Sequence, residues 1–567
     1  MLKLTNQVWL KVRNDMQLQI GAGDFGEARI KNLKIVDKTL FIKEILDNYG
    51  IKVSLITRPR RFGKTFNLSM LYYFLAAQVN HEPTAELFTG LKIATVDSSA
   101  YMAHQGKYPV IFISLKDVRA EDFELTYSKL YDLIVETFNG HEYLKYSDKL
   151  SEDNKNLFTI ILGRKANRAQ IETALKTLTS CLFEHYGVKP WILIDEYDTP
   201  IQFGYLNKHY DQTVNLIRGL LSAVLKDNIY LERAVLTGIL RIAKESLFSG
   251  LNNLCVYSVM DLEYNQYFGF IEAEVHELLQ QAKLANKETE VKQWYNGYIF
   301  GGTTVYNPWS IVNYINKKGL LQAYWVNTSD DKLIRTLLVD SDAKLKQQFA
   351  VLLRGETVTQ EIDENMVFGN LKTSKLAVWG LLLMSGYLKV VSFTLDDRGE
   401  KICQLAIPNQ ELQTLYQKMI ESWLSDNDDS GSWYRNFLSG LLTGDIASFE
   451  QDFGQILAKT VSFHDAARTP ENFYHGFMLG LTASLRPTEY EVKSNKESGF
   501  GRYDLVILPK DLTKYAIIFE FKSICSSKED QAVLLVEGAK VALAQIDQKQ
   551  YLVEAQQRGY KNILKIG

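Results

Sequence analysis

Four short apolar runs constrain this chain more than anything else in it. They are Lys52–Thr57 (KVSLIT), Pro109–Leu115 (PVIFISL), Trp191–Ile194 (WILI) and Arg233–Thr237 (RAVLT). Each is rich in side chains that suit a strand and is short for a buried helix. Longer helical patterns separate them, including a helix around Lys38–Asn48, one carrying Phe66, Met70 and Phe74 at spacing four, a mostly helical stretch over 119–186 and one over Thr213–Leu225. Strands apolar along their whole length, alternating with helices, predict an α/β domain with a largely parallel sheet. Charge follows these runs closely: RPRRFGKT after the first and DEYD after the third.

The first of these charged segments has the order strand, turn, helix, with Gly63, Lys64 and Thr65 at the helix start. Backbone N–H groups at a helix N-terminus bind phosphate oxygens. Lys64 would then reach the terminal phosphates of a nucleotide, and the Thr65 hydroxyl would ligate Mg²⁺. The glycine expected five positions before Gly63 is Arg58, and Pro59 removes an N–H donor. The turn must therefore be built differently, with Arg60 or Arg61 supplying charge. In the third segment Asp195 would hold Mg²⁺, and Glu196 would polarise the attacking water. Thr237 ends the fourth run, where a hydroxyl can sense the γ-phosphate. Arg241 follows within a helical turn and would face either the phosphates, a partner subunit or a structural carboxylate.

ITRPRRFGKTFNLSML, WILIDEYDTPI, VLTGILRIAKESLFSGLNN, WYNGYIF and YNPWSI together resemble the bacterial AAA-ATPase-like family, over roughly 20–330. In that family the glycine-poor RPRRFGKT loop is the usual form. The resemblance implies a P-loop-type ATPase domain and ATP as cofactor. It assigns no chemistry to the aromatic segments, so Trp294, Tyr295, Tyr298 and Trp309 are expected to pack in a core or a lid.

Near the C-terminus, EVKSNKESGFGRYDLVILP precedes AIIFEFKS. Glu520 and Lys522 lie two apart on an apolar strand, so they share a face. A carboxylate and a lysine there are costly to bury without a role. Asp504 lies on the preceding strand, across a hairpin. Two carboxylates and the Phe521 carbonyl would make a hard oxygen site for Mg²⁺ or Mn²⁺. Lys522 would orient or deprotonate water and stabilise charge on phosphorus. The Asp…Glu-x-Lys pattern resembles the PD-(D/E)XK nuclease superfamily, although Tyr503 stands where that pattern has proline. The resemblance implies a restriction-endonuclease-like α/β domain with Asp504, Glu520 and Lys522 as its catalytic set. His475, on the preceding helix, is an additional candidate metal ligand, with Glu491 competing for that role. Gln545, Lys493, Lys496 and Arg502 are candidates for contact with a nucleic-acid backbone.

Three regions follow: an ATPase-like domain over 1–330, a mainly helical connector over 331–455 with a strand pair near 387–408, and a nuclease-like domain over 456–567. The composition, 46% apolar and 23% charged, is that of a globular chain. The formal net charge of −3 argues against a surface coated in basic residues for DNA, while leaving room for a local basic groove. Four scattered cysteines give neither a disulfide framework nor a zinc site. No leader is visible, and the longest apolar run, Leu376–Met384, is far short of the ~18 residues a membrane span needs. A cytoplasmic protein is expected, with nucleic acid as its partner (DNA before RNA) and self-association as an option. Two functions fit: ATP- and Mg²⁺-dependent cleavage of nucleic acid, or a nucleotide-controlled switch that binds without cutting.

Overall fold

In the computed structural model, residues 23–96, 98–242, 252–325, 343–353, 355–364, 371, 375–416, 432–460, 478, 481–482, 485, 489–498, 501–522 and 531–567 are described. The chain forms two compact units, Met1–Ser329 with Thr359–Glu411, and Asp330–Val358 with Leu412–Gly567. The stretch over 331–455 is thus divided between them. Its expected strand pair is the antiparallel ladder of Lys389–Leu395 with Lys401–Ala406, in the first unit.

The first unit is built on a five-stranded parallel sheet. Its strands are β1 (Val53–Thr57), β2 (Val110–Ser114), β3 (Trp191–Asp195), β4 (Ala234–Gly238) and β5 (Leu254–Tyr257). Their spatial order is β2-β3-β4-β1-β5. Strands β1, β3 and β4 are buried at every position. That burial is why their sequences read as unbroken apolar runs and not as alternation. Strand β5 was not anticipated: LCVY is short, and three of its four residues are only partly buried. The order places β4 between β1 and β3, with Ile56 opposite Thr237 and Ile194 opposite Leu236. The carboxyl ends of all three strands therefore meet at one edge. Helix α1 (Lys64–Leu75) leaves β1 through Gly63, whose φ of 83° suits the residue without a Cβ. Leu68, Met70, Leu71 and Phe74 of α1 are buried.

The second unit carries a four-stranded sheet in the order β6-β7-β8-β9. Its strands are β6 (Tyr490–Ser498), β7 (Gly501–Pro509), β8 (Ala516–Phe519) and β9 (Ile563–Ile566). The hairpin and the apolar strand match the sequence expectation, whereas β9, which pairs parallel to β8, was not anticipated. Leu505, Ile507, Ile517 and Phe519 pack in one core with Phe437 and Leu441 of helix α2 (Ser432–Thr443) and Phe449 of helix α3 (Ile446–Thr460). Val506, Leu508, Ala516 and Ile518 pack in another with Ile546 of helix α4 (Gln531–Gln548) and Ala555 of helix α5 (Leu552–Gln557). Alternation along β7 and β8 assigns successive residues to these two cores. One expectation needs correcting. Strand β8 ends at Phe519, so Glu520 and Lys522 follow the strand and do not lie on it. Glu520 still donates its backbone N–H to the Ile566 carbonyl at 3.1 Å, so the ladder's direction carries on through it.

Among the described residues, no helix is long and apolar enough to cross a membrane.

Candidate functional sites

At the sheet edge of the first unit, five residues singled out in the sequence come together. The Asp195 carboxylate accepts from Thr65 Oγ1 through Oδ2 and from Thr237 Oγ1 through Oδ1, both at 2.6 Å. Burial pushes the Asp195 carboxyl up, and neighbouring Glu196 adds to this against the pull of the two hydroxyls and Lys64. Lys64 is 4% exposed. Its Nζ donates to the Arg58 and Pro59 carbonyls at 3.1 Å each and lies 3.9 Å from Glu196 Oε1. Burial also raises the Glu196 carboxyl, but Lys64 and Arg60 outweigh it and hold the group below its ordinary value. Glu196 has φ of 53°, a left-handed conformation for a residue with a Cβ. Such strain persists where surrounding structure enforces it. A carboxylate and a hydroxyl that already meet form an all-oxygen donor pair, which fits a hard divalent cation.

The two arginines differ in position. Arg60 donates to Gln202 Oε1 at 3.2 Å and is near enough to Glu196 to lower its pKa. Arg61 instead lies over the Trp309 ring, 4.1 Å from its centroid. Arg58, at the position of the missing glycine, reaches sideways to the chain that leaves β5. Its guanidinium is fully buried and donates to the carbonyls of Thr57, Tyr257, Ser258 and Glu263 at 2.7 to 3.2 Å. Burial lowers its pKa to about 10, which leaves it charged at neutral pH. The Arg241 Nε is enclosed and meets no acceptor among the described residues.

The aromatic segments, to which the sequence assigned no chemistry, wrap this loop. Phe62 packs on Tyr298 and Phe300 with ring centroids 4.9 and 5.0 Å apart. The Arg60 carbonyl accepts from Trp325 Nε1 at 3.1 Å and from Asn307 Nδ2 at 3.5 Å. Glu411 ties these pieces together: its carboxylate accepts from Ser310 Oγ at 2.8 Å and from the N–H groups of Tyr324 and Trp325 at 2.6 and 2.7 Å. Trp294 and Tyr295 belong to the neighbouring core, as expected. A loop without its usual glycines is thus shaped from outside, by rings and a buried carboxylate.

Burial pushes the Glu411 carboxyl up to about 7, against its hydrogen bonds. The folded state therefore binds a proton that the unfolded chain has released. Glu411 contributes stability that is full below its unfolded pKa and is lost as pH rises through about 7. Glu411→Gln keeps the acceptor for both N–H groups and removes the ionisation. Its melting temperature relative to wild type should rise between pH 5 and pH 8; a pH-independent difference would contradict the assignment.

The second site lies where β8 ends, opposite the first half of its antiparallel neighbour β7. Asp504 Oδ2 accepts from the Phe521 N–H at 2.7 Å. Glu520, 3% exposed, accepts through Oε1 from Lys522 Nζ at 2.8 Å and from Gln545 Nε2. Asp504, Glu520 and Lys522 are thereby gathered, and Gln545 holds the carboxylate and does not reach outward as expected. Asp504 and Glu520 supply oxygen donors of the kind Mg²⁺ or Mn²⁺ takes. Among the described residues there is no cluster of three or more carboxylate, histidine or cysteine side chains suited to a metal, so further donors would be the Phe521 carbonyl and water. Glu491, the rival ligand, is engaged elsewhere. It pairs with Arg558 and, at 3.0 Å, with Lys493, which also pairs with Glu554. His475 lies outside the described residues, as do the side chains of Lys496 and Arg502.

Comparison with known proteins gives two family matches, one towards each end of the chain. Residues 19–248 match the AAA-ATPase-like family, described as predicted AAA-ATPase, and residues 469–567 match the PD-(D/E)XK nuclease superfamily. A protein of Azotobacter chroococcum mcd 1, described only as an uncharacterized protein in the vnfD 5' region, is 24% identical over 548 residues, spanning 96% of this chain and 94% of its own length. The chain thus joins an AAA-ATPase-like segment to a C-terminal segment of the PD-(D/E)XK nuclease superfamily.

Proposed function

We propose that this protein binds and hydrolyses ATP at the β1–β4–β3 edge and cleaves nucleic-acid phosphodiester bonds at Asp504, Glu520 and Lys522, with a divalent metal at each site. The observation that carries the cleavage reading is Glu520, a carboxylate buried to 3% exposure beside Lys522. Burial of this kind is expensive in a purely structural role. A divalent cation held by Asp504 and Glu520 would supply Lewis acidity toward the phosphodiester. Lys522 would hold water for attack and offset charge developing on the phosphate oxygens. Gln545 would fix the Glu520 rotamer. At the other edge, Lys64, Thr65 and Asp195 would seat the phosphates and Mg²⁺ of ATP, and Glu196 would orient the attacking water. DNA is the favoured substrate over RNA, and ATP hydrolysis would gate the cut.

One observation favours the rival reading, a nucleotide-controlled module that binds without cutting. Lys493, expected to contact a nucleic-acid backbone, is engaged by Glu491 and Glu554. The deciding experiment incubates the full chain with single- and double-stranded DNA and RNA and Mg²⁺ or Mn²⁺, with and without ATP. Cleavage by wild type that is absent from Glu520→Ala/Lys522→Ala supports the enzyme. No cleavage under any condition, with nucleotide-dependent binding of the same substrates, supports the module.

A further inference from the structure

Glu196 is followed in the chain by Tyr197 and Asp198. Both are buried, Tyr197 completely and Asp198 to 1% exposure. Both reach across to the segment that leaves β4. Asp198 Oδ2 accepts from the N–H groups of Ile239 and Leu240 at 2.9 Å each. The Tyr197 hydroxyl donates to the Leu240 carbonyl and accepts from the Ile242 N–H at 3.1 Å. The Tyr197 N–H donates to the Thr237 carbonyl at 3.1 Å. Arg241 is therefore flanked on both sides by backbone gripped from the segment that begins at Glu196.

The approach is close enough to dictate sequence. A Cβ at Gly238 would lie 2.6 Å from the Tyr197 ring and 2.7 Å from Asp198 Oδ1. Glycine is required there for contact, not for its backbone angle. On the near side, Asp195 is fixed by Thr65 and Thr237, and Glu196 is held in its left-handed conformation between that anchor and the Tyr197–Asp198 grip. On the far side, the enclosed Arg241 Nε meets no acceptor among the described residues.

From this geometry we infer that Tyr197 and Asp198 are positioning residues that lock Glu196 and Arg241 into one rigid piece, so that water-orienting carboxylate and guanidinium close on the terminal phosphate at a fixed separation. The inference rests on the proposed ATP hydrolysis and deepens it. It makes Arg241 act in the same chain as Glu196, through a backbone whose path these two side chains set. Buried hydrogen bonds in a low-dielectric surrounding resist rearrangement, which is what preorganisation needs.

The test is a double-mutant cycle on steady-state ATP hydrolysis by the full chain: wild type, Tyr197→Phe, Arg241→Ala and the double variant. Tyr197→Phe keeps the ring and removes only the hydroxyl. It is expected to lower kcat by about ten-fold or more while KM for ATP changes by less than about three-fold. In the Arg241→Ala background the same change should cost less than about two-fold, because the residue being positioned is gone. Asp198→Asn provides a second route should Tyr197→Phe fold poorly, and the same coupling to Arg241 is expected. Multiplication of the separate losses, or Tyr197→Phe at the wild-type rate, overturns the positioning role while leaving hydrolysis intact. A wild-type chain that hydrolyses no ATP overturns the nucleotide reading itself and this inference with it.

Discussion

Lys64→Ala is expected to reduce ATP hydrolysis by about a hundred- to a thousand-fold, the usual scale for removing one positioned charge from a phosphoryl-transfer site. Its ammonium sits at the mouth of α1, 4% exposed, bridging two loop carbonyls with Glu196 nearby. The neighbouring arginines are engaged differently: Arg58 donates to backbone carbonyls, Arg60 to Gln202, and Arg61 lies on Trp309. The Arg58 and Pro59 carbonyls would lose their shared donor, so the melting temperature should fall as well. Rate and melting temperature must both be measured, because they separate a lost charge from a collapsed loop. Lys64→Arg keeps the charge and misplaces it; it should melt closer to wild type and still hydrolyse slowly. Near-normal hydrolysis by Lys64→Ala would remove the β1 edge from consideration as the nucleotide site.

The other large effect is expected at the C-terminal site. Glu520→Gln keeps volume and one acceptor for Lys522 and Gln545, but removes the charge that a divalent cation needs. Lys522→Ala removes the only described ammonium paired with Glu520. Each should lower cleavage by about a thousand-fold, with binding of the uncut substrate retained and ATP hydrolysis unchanged. Lys522→Ala also takes a cation away from the buried Glu520 carboxylate, so its melting temperature should drop more than that of Glu520→Gln. Cleavage by both variants at the wild-type rate would transfer the activity elsewhere or to a contaminant.

The central sheet was legible because burial on both faces leaves a strong sequence trace: β1 to β4 each begin and end within about a residue of the apolar runs that announced them. Strands β5 and β9 were not, since LCVY and ILKI are short and mostly half-buried, and their identity as strands comes from neighbours distant in sequence. The candidate residues of the nucleotide edge were legible for a different reason. Asp195 and Thr237 lie at strand ends and Lys64 and Thr65 at the helix start that follows one, and a parallel sheet brings those ends together. Tyr197 and Asp198 went unread because DEYD looks like a solvated acidic turn, and only the tertiary path of residues 238–242 shows that its second half is buried. The aromatic segments carried a signal without a meaning. Nothing in YNPWS states that its tryptophan will carry an arginine from a loop some 250 residues earlier.

Arg58 has a mechanical consequence. Its guanidinium fastens the start of the loop between β1 and α1 to the carbonyls of Tyr257, Ser258 and Glu263, where the chain leaves the outermost strand β5. In a glycine-built loop the backbone could flex over a nucleotide while the sheet's rim stayed still. Here the rim and the loop share one joint. A tug on the rim is relayed to the loop, and a change in the loop is relayed to the rim. The residue that stands where glycine is expected thus acts as a tie-rod between the border of the sheet and the loop that leads into α1.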